Sequence, residues 1–462
     1  MRRLPFQNSD GKDDPGPALP QQQQHDQTFP SANQKRRRRR RIQRSGSGIS
    51  KASGVLLGSL LMLMFFGGLL IGISKLDMPT VTVGTDIGNE TRRRIESPNA
   101  GGGPFQQYTR HAPSCNEHPL QPDDVQFTLV TQLSSDRLWM LRHHCQRWPY
   151  PMSVAVLTNQ TQSQVLDGLV QMGCDSSQLT VQVLSATDYP DTDYPVNVLR
   201  NLALSHVTTS HVMYVDIDFW VSTDLHRLLN ADSTRQALAN NHKLAVVVPA
   251  FQLHRVCREW RECPELNIPK MPHTMDDLLT LLRDKHGSMF DPTNRGGHGS
   301  TLYAPWIRQD PGALLEIPCI RSNRYEPYLA FRHCHETPPF QPAFSGYGKN
   351  KMTMVMHMRR TGYTFSQLGG AYLVHYPHLD SKSRMEWNES PLEGHALNEV
   401  QQADWAAYKR GRVDAVFVDF RTWLQRDVPD ETVVPKCHDA EDDDARLWIR
   451  RSSHGDATTK SK

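Results

Sequence analysis

Between Gln126 and Val248 short apolar runs alternate with amphipathic stretches, a pattern that leaves few architectures open. The runs at Gln126–Gln132, Met152–Leu157, Leu179–Leu184, His211–Val215 and Lys243–Val248 have strand length and are rich in Val and Leu. Between them, Asp136–Arg147, Ser163–Met172, Tyr194–Val207 and Thr223–Leu229 carry helical patterning, and Pro195 suits a first turn. Strands separated by helices predict an α/β fold, with a mostly parallel central sheet covered by helices on both faces. Sheets of this kind bind ligands beyond the carboxyl ends of their strands.

One such end carries two acids. The fourth run reads Met213-Tyr214-Val215-Asp216-Ile217-Asp218. If the strand continues, side chains two apart point to the same side, so both carboxylates face one point. Carboxylate oxygens suit Mg²⁺ or Mn²⁺, and a histidine among the ligands tilts the choice toward Mn²⁺. His375 and His378 are the candidates, because His375 ends an apolar run, Ala371–His375, much as Asp216 does. The competing reading of the acid pair is a solvated loop.

The net charge of +3 is misleading. Lys35, Arg36 to Arg41 and Arg44 supply eight positive charges, and without them the chain stands at −5. The excess is one tract, not a basic face, which argues against a nucleic-acid-binding body. Beyond the tract lies Gly54–Ile73, 20 residues without a charge. As a helix it spans about 30 Å, the thickness of a bilayer core. The positive-inside rule then puts the N-terminal residues in the cytosol and the rest in the lumen.

All eight cysteines and three glycosylation sequons, at Asn89, Asn159 and Asn388, follow that run. Both fit an oxidising lumen. Cys257 with Cys263 and Cys319 with Cys334 are the expected local disulfides, and without a C-x-x-C pair no zinc site is expected. The expected organisation is a basic disordered tail (1–52), a transmembrane signal-anchor helix (53–74), a polar stem (75–122), one catalytic-type domain (123–430) and a C-terminal tail (431–462).

Seven stretches carry a family resemblance: Phe127–Arg137, Tyr194–Asn201, Asp216–Phe219, His298–Thr301, Glu326–Tyr328, Phe344–Lys351 and Ala371–His375. In order and content they resemble the LARGE-type glycosyltransferases, glycosyltransferase family 49, and most of all their β-glucuronyl-transferring domain. The resemblance implies a GT-A (Rossmann-like) domain, a UDP-sugar donor, Mn²⁺ with Mg²⁺ as the alternative, and inverting transfer to a hydroxyl of a glycan or glycoprotein. With the anchor, it implies a single-pass type II Golgi membrane protein with its catalytic domain in the lumen.

Carried over residue by residue, the resemblance makes Asp216, Asp218 and His375 the metal ligands and Glu326 the catalytic base. It places Gln132, Arg137, Asn197, Arg200 and Lys351 around the donor. Glucuronic acid is the expected sugar, with xylose or N-acetylglucosamine as alternatives, and a catalytically silent glycan-binding protein is the alternative of another class. This chain also departs from the pattern: Gln341 stands where family members often have an acid, and Asp276–Arg295 matches poorly.

Overall fold

The computed structural model describes residues 104–109, 112–189, 194–259, 262–379, 384 and 399–438. The basic tract, the apolar run 54–73 and the sequons at Asn89 and Asn388 lie outside the described residues. Among the described residues no helix is long and apolar enough to cross a membrane.

The five expected strands are present as β1 (Phe127–Ser134), β2 (Met152–Thr158), β3 (Leu179–Ser185), β4 (His211–Tyr214) and β6 (Leu244–Val248). The helices Leu138–Arg147, Gln162–Gln171, Val196–Leu204 and Leu225–Leu229 stand where the patterning puts them. Strand β1 is buried along nearly its whole length and β6 along all of it, as fits strands covered on both faces. Strand β3, whose residues are mostly only half-buried, lies at an edge.

The remaining strands are β5 (Phe219–Val221), β7 (Ala250–Leu253), β8 (Gly287–Met289), β9 (Leu314–Glu316), β10 (Tyr328–Arg332), β11 (Thr364–Leu368) and β12 (Leu373–His375). Eight strands form one sheet in the order β3-β2-β1-β4-β10-β6-β11-β9, and four form a second in the order β5-β12-β7-β8. Strands β1 to β4 pair in parallel, as expected. The whole is nonetheless mixed, because β10 enters antiparallel between β4 and β6. An antiparallel strand begins where its parallel neighbours end. Tyr328 therefore starts at the carboxyl ends of β4 and β6, and the Glu326–Tyr328 motif falls at the rim.

Residues 104–109 and 112–122, expected as the end of a stem, lie against the body instead. Phe105 and Cys115 are buried, and Cys115 is bonded to Cys334. Past residue 430, Val434 is buried, the backbone at Lys436 bridges to Ile320, and Cys437 is bonded to Cys319. The expected Cys319–Cys334 pair is thus wrong, because each of these cysteines holds an end of the chain. Cys257–Cys263 is present as expected, and Cys145–Cys174 completes the set. The poorly matching segment 276–295 supplies most of a capped helix, Met275–Arg283, and β8, so it is built into the second sheet's edge.

Arg147, 4% exposed, joins the first helix to the second sheet. Its guanidinium donates to the carbonyls of Val221 and Pro272 at 3.0 and 2.7 Å and of Met271 at 3.3 Å. It also lies 5.6 Å from the centre of the Trp220 ring. Burial pulls its pKa down to about 10, so the group keeps its charge at neutral pH. Arg147→Met leaves buried carbonyls without donors, and we expect it to cost about 2–4 kcal/mol, read as a lower midpoint in denaturant unfolding.

Candidate active site

The two aspartates do not sit on a continued strand. The Val215 amide still donates to Val130 O at 3.0 Å, and then Phe219 N donates to Asp216 O at 2.9 Å, closing a turn over Asp216–Phe219. The alternation of side chains ends at that turn. The two carboxylates consequently enter different surroundings.

Asp216 is held by donors on both oxygens. Its Oδ1 accepts from Arg200 Nη2 at 3.0 Å and from the Tyr214 hydroxyl. Its Oδ2 accepts from the Tyr328 hydroxyl and Lys351 Nζ, each at 2.9 Å. Arg200 is fixed in turn: its Nη1 donates to Asn197 Oδ1 at 2.8 Å and to Asn350 Oδ1 at 2.9 Å. Burial raises the Asp216 pKa, but Lys351 and Arg200 outweigh it, and the carboxyl ends well below its usual range. Asp216 is therefore a permanent anion inside a cationic clamp.

Asp218 meets histidines. Strand β12 pairs antiparallel with β5, with His375 opposite Phe219, and Tyr376 N donates to Asp218 O at 2.8 Å. That register carries His375 to the turn from far along the chain. His375 Nε2 stands 3.7 Å from Asp218 Oδ2, and His378 Nε2 stands 2.8 Å from the same oxygen. One ligand atom from each of Asp218, His375 and His378 lies within 4.8 Å of the others. Burial lowers the His375 pKa and leaves a neutral ring with a lone pair to offer. Two imidazole nitrogens and one carboxylate oxygen fit a divalent transition ion such as Mn²⁺. Asp218 and His375 thus come together as expected, His378 joins them, and Asp216 does not.

The other expected residues ring these two centres. Arg137 Nη1 lies 3.2 Å from Asp218 Oδ2, and Nη2 lies 3.3 Å from His378 Nδ1. Asn197 and Lys351 belong to the Asp216 clamp. Gln132 is buried and accepts from the Tyr194 hydroxyl. Among the described residues the Glu326 carboxylate has no hydrogen-bond partner, while its amide donates to Gly297 O at 2.8 Å. Burial raises its pKa against the pull of Lys351 and Arg200. Asn159 is exposed just before a helix, open to modification.

Sequence reasoning missed Tyr214, Tyr328 and Asn350 as members of the clamp. Each lies inside or directly beside a stretch that carries the resemblance, so the signal was present. Their chemistry was not, because a tyrosine or asparagine becomes a ligand-site donor only once its neighbours are known.

Residues 171–393 match the family model described as "Glycosyl-transferase for dystroglycan". The chain is 34% identical over 289 residues to the mouse xylosyl- and glucuronyltransferase LARGE2, covering 62% of this chain and 39% of that protein. It is 31% identical over 269 residues to human LARGE1, of the same description, covering 57% and 33%. The chain therefore spans little more than a third of the length of these relatives. The crystal structure of S. aureus TarS 1–349 overlays on 71% of this chain and 78% of that one, at 12% identity and a TM-score of 0.31, too loosely to bear on fold or chemistry. Across residues 171–393 the chain is thus similar to glycosyltransferase family 49, the LARGE type.

The geometry separates the two aspartates in a titration of Mn²⁺ without nucleotide. We expect Asp218→Ala, His375→Ala and His378→Ala each to weaken binding at least about tenfold, while Asp216→Asn changes it little. Calorimetry or Mn²⁺ paramagnetic resonance reads this directly.

Proposed function

We propose that this chain moves a sugar, glucuronic acid before xylose or N-acetylglucosamine, from a UDP donor to a glycan hydroxyl with inversion. The observation that carries this reading is the pairing of a His–His–carboxylate nest with the half-buried Glu326 carboxylate, which has no hydrogen-bond partner among the described residues, at one rim of the sheet. The reading also rests on the family match and on the relatives' description as xylosyl- and glucuronyltransferases.

In this reading Asp218, His375 and His378 hold the divalent ion, which when bound offsets charge on the leaving diphosphate. Arg137, lying against that nest, presents a guanidinium to the same diphosphate, and Gln132 lines the nucleoside end. Asp216, Arg200 and Lys351 form a rigid polar wall that orients the donor without reorganising as charge develops. Glu326 takes the proton of the acceptor hydroxyl as that oxygen bonds to the anomeric carbon and the bond to the diphosphate breaks. The electron pair of the broken bond leaves with UDP. The setting we propose is the Golgi lumen, with residues 53–74 as a type II anchor and the sequons glycosylated.

A panel of UDP-sugars, with hydrolysis or transfer as readout, tests the donor. Turnover of none of them in the presence of Mn²⁺ supports the glycan-binding alternative. Glu326→Gln is expected to lower kcat by roughly 10²–10⁴-fold while UDP affinity holds.

The base must be ionised to act. Because the Glu326 pKa is raised, kcat/KM is expected to fall with decreasing pH through a limb lying above the ordinary glutamate value. A limb at or below that value counts against Glu326 as the base.

A further inference from the structure

Gln341 departs from the acid that the resemblance expects, and the structure gives it a different task. It is fully buried, and its side chain reads the backbone of Gln106: Oε1 accepts from Gln106 N at 2.9 Å and Nε2 donates to Gln106 O at 2.7 Å. A peptide unit offers one donor and one acceptor, and a side-chain amide answers both. A carboxylate would accept from the N–H but set its other oxygen against the carbonyl.

The segment that Gln341 holds is fastened along its length. Phe105 enters a small apolar cluster, its ring 5.6 Å from Phe420 and 5.5 Å from Trp423 of the helix Glu399–Asp427. Thr109 N donates to His335 O at 2.9 Å and Thr109 Oγ1 to Thr337 O at 2.6 Å. Cys115 N donates to Glu336 Oε2 at 2.7 Å, and its sulfur is bonded to Cys334.

From Gln341 the contacts run on to the clamp. Asn197 Nδ2 donates to Gln341 O at 2.8 Å, and Asn201 exchanges two hydrogen bonds with the backbone of Phe340. The Arg200 guanidinium lies 5.0 Å from the Phe340 ring centre. Residues 340 and 341 are thus pressed between the incoming N-terminal segment and the helix that carries Asn197 and Arg200. Those two side chains bond each other, and Arg200 holds Asp216.

We propose that residues 104–109 and 112–116 form a strap that positions the Arg200–Asp216 wall of the donor site, with Gln341 as the positioning residue that couples the two. This rests on the donor-site reading above. The approach from the membrane-proximal side is then part of the binding machinery and not a passive tether.

The test uses the full chain and two variants that loosen the strap at adjacent residues, Gln341→Glu from the body and Phe105→Ala from the strap itself. Hydrogen exchange reads the amides of residues 105–109, calorimetry reads UDP binding, and steady-state kinetics with the donor found active separate KM from kcat. We expect faster exchange in both variants, with UDP affinity weakened and donor KM raised by roughly fivefold, and kcat within about twofold of wild type. Adding Gln341→Glu to Asn197→Ala should weaken UDP binding no further, because both changes cut one chain of contacts.

Faster exchange with unchanged UDP affinity in both variants overturns the strap's role, as does exchange no faster than wild type. If Gln341→Glu fails to fold, Phe105→Ala alone decides, since it leaves every side chain beside the donor site in place. Wild-type protein that binds no UDP overturns the donor-site reading and the strap with it, whereas UDP binding by the wild type that is undiminished in both variants overturns the strap alone.

Discussion

The site depends on one backbone event, the turn at Asp216–Phe219 and the antiparallel pairing of β5 with β12 that follows it. Had β4 simply continued, the two carboxylates would lie on one side and repel each other across a small gap. The turn divides them. One goes to a cluster of fixed protein cations, and the other to two imidazoles that only this register delivers. Shifting β12 by one residue would swing His375 to the opposite face of the sheet.

That division assigns distinct electrostatic tasks to a short stretch of chain. Asp216 has its charge already answered by Arg200 and Lys351, so a ligand arriving there meets a preset wall of donors. Asp218 sits with two histidines and Arg137, the groups that would hold the ion and the phosphate in the reading proposed above. Rigid polarity on one side and exchangeable ligation on the other suit a reaction in which a charged group has to be received and then released.

Much of the core was legible in the sequence, and the reason is local. Strand β6 is buried on both faces, so its apolar run is unbroken and easily read. For the other strands the signal was weaker. Strand β10 runs against its neighbours, and β5, β8, β9 and β12 are each three residues long, too short for any periodicity. The site was half legible. Asp218 and His375 followed from type, position and resemblance, but the parting of Asp216 from Asp218 hangs on a turn, and the fastening of residues 104–109 and 112–116 on a disulfide partner more than two hundred residues away. Long-range pairing of that kind leaves no local trace, which is why Cys334 was assigned to Cys319 when it belongs to Cys115.

The two long disulfides also bear on how such a chain is made. Synthesis runs from the N-terminus, and the bonds Cys115–Cys334 and Cys319–Cys437 span 219 and 118 residues. While the first thiol waits, strands β1 to β10 must emerge, and Cys319 stays reactive until almost the last part of the described body is delivered. A nascent molecule therefore holds open sulfhydryls through most of its production. It is exposed for that interval to mispairing with Cys145, Cys174 or a neighbour, so its yield should follow the thiol-exchange capacity of the compartment as much as the strength of its core.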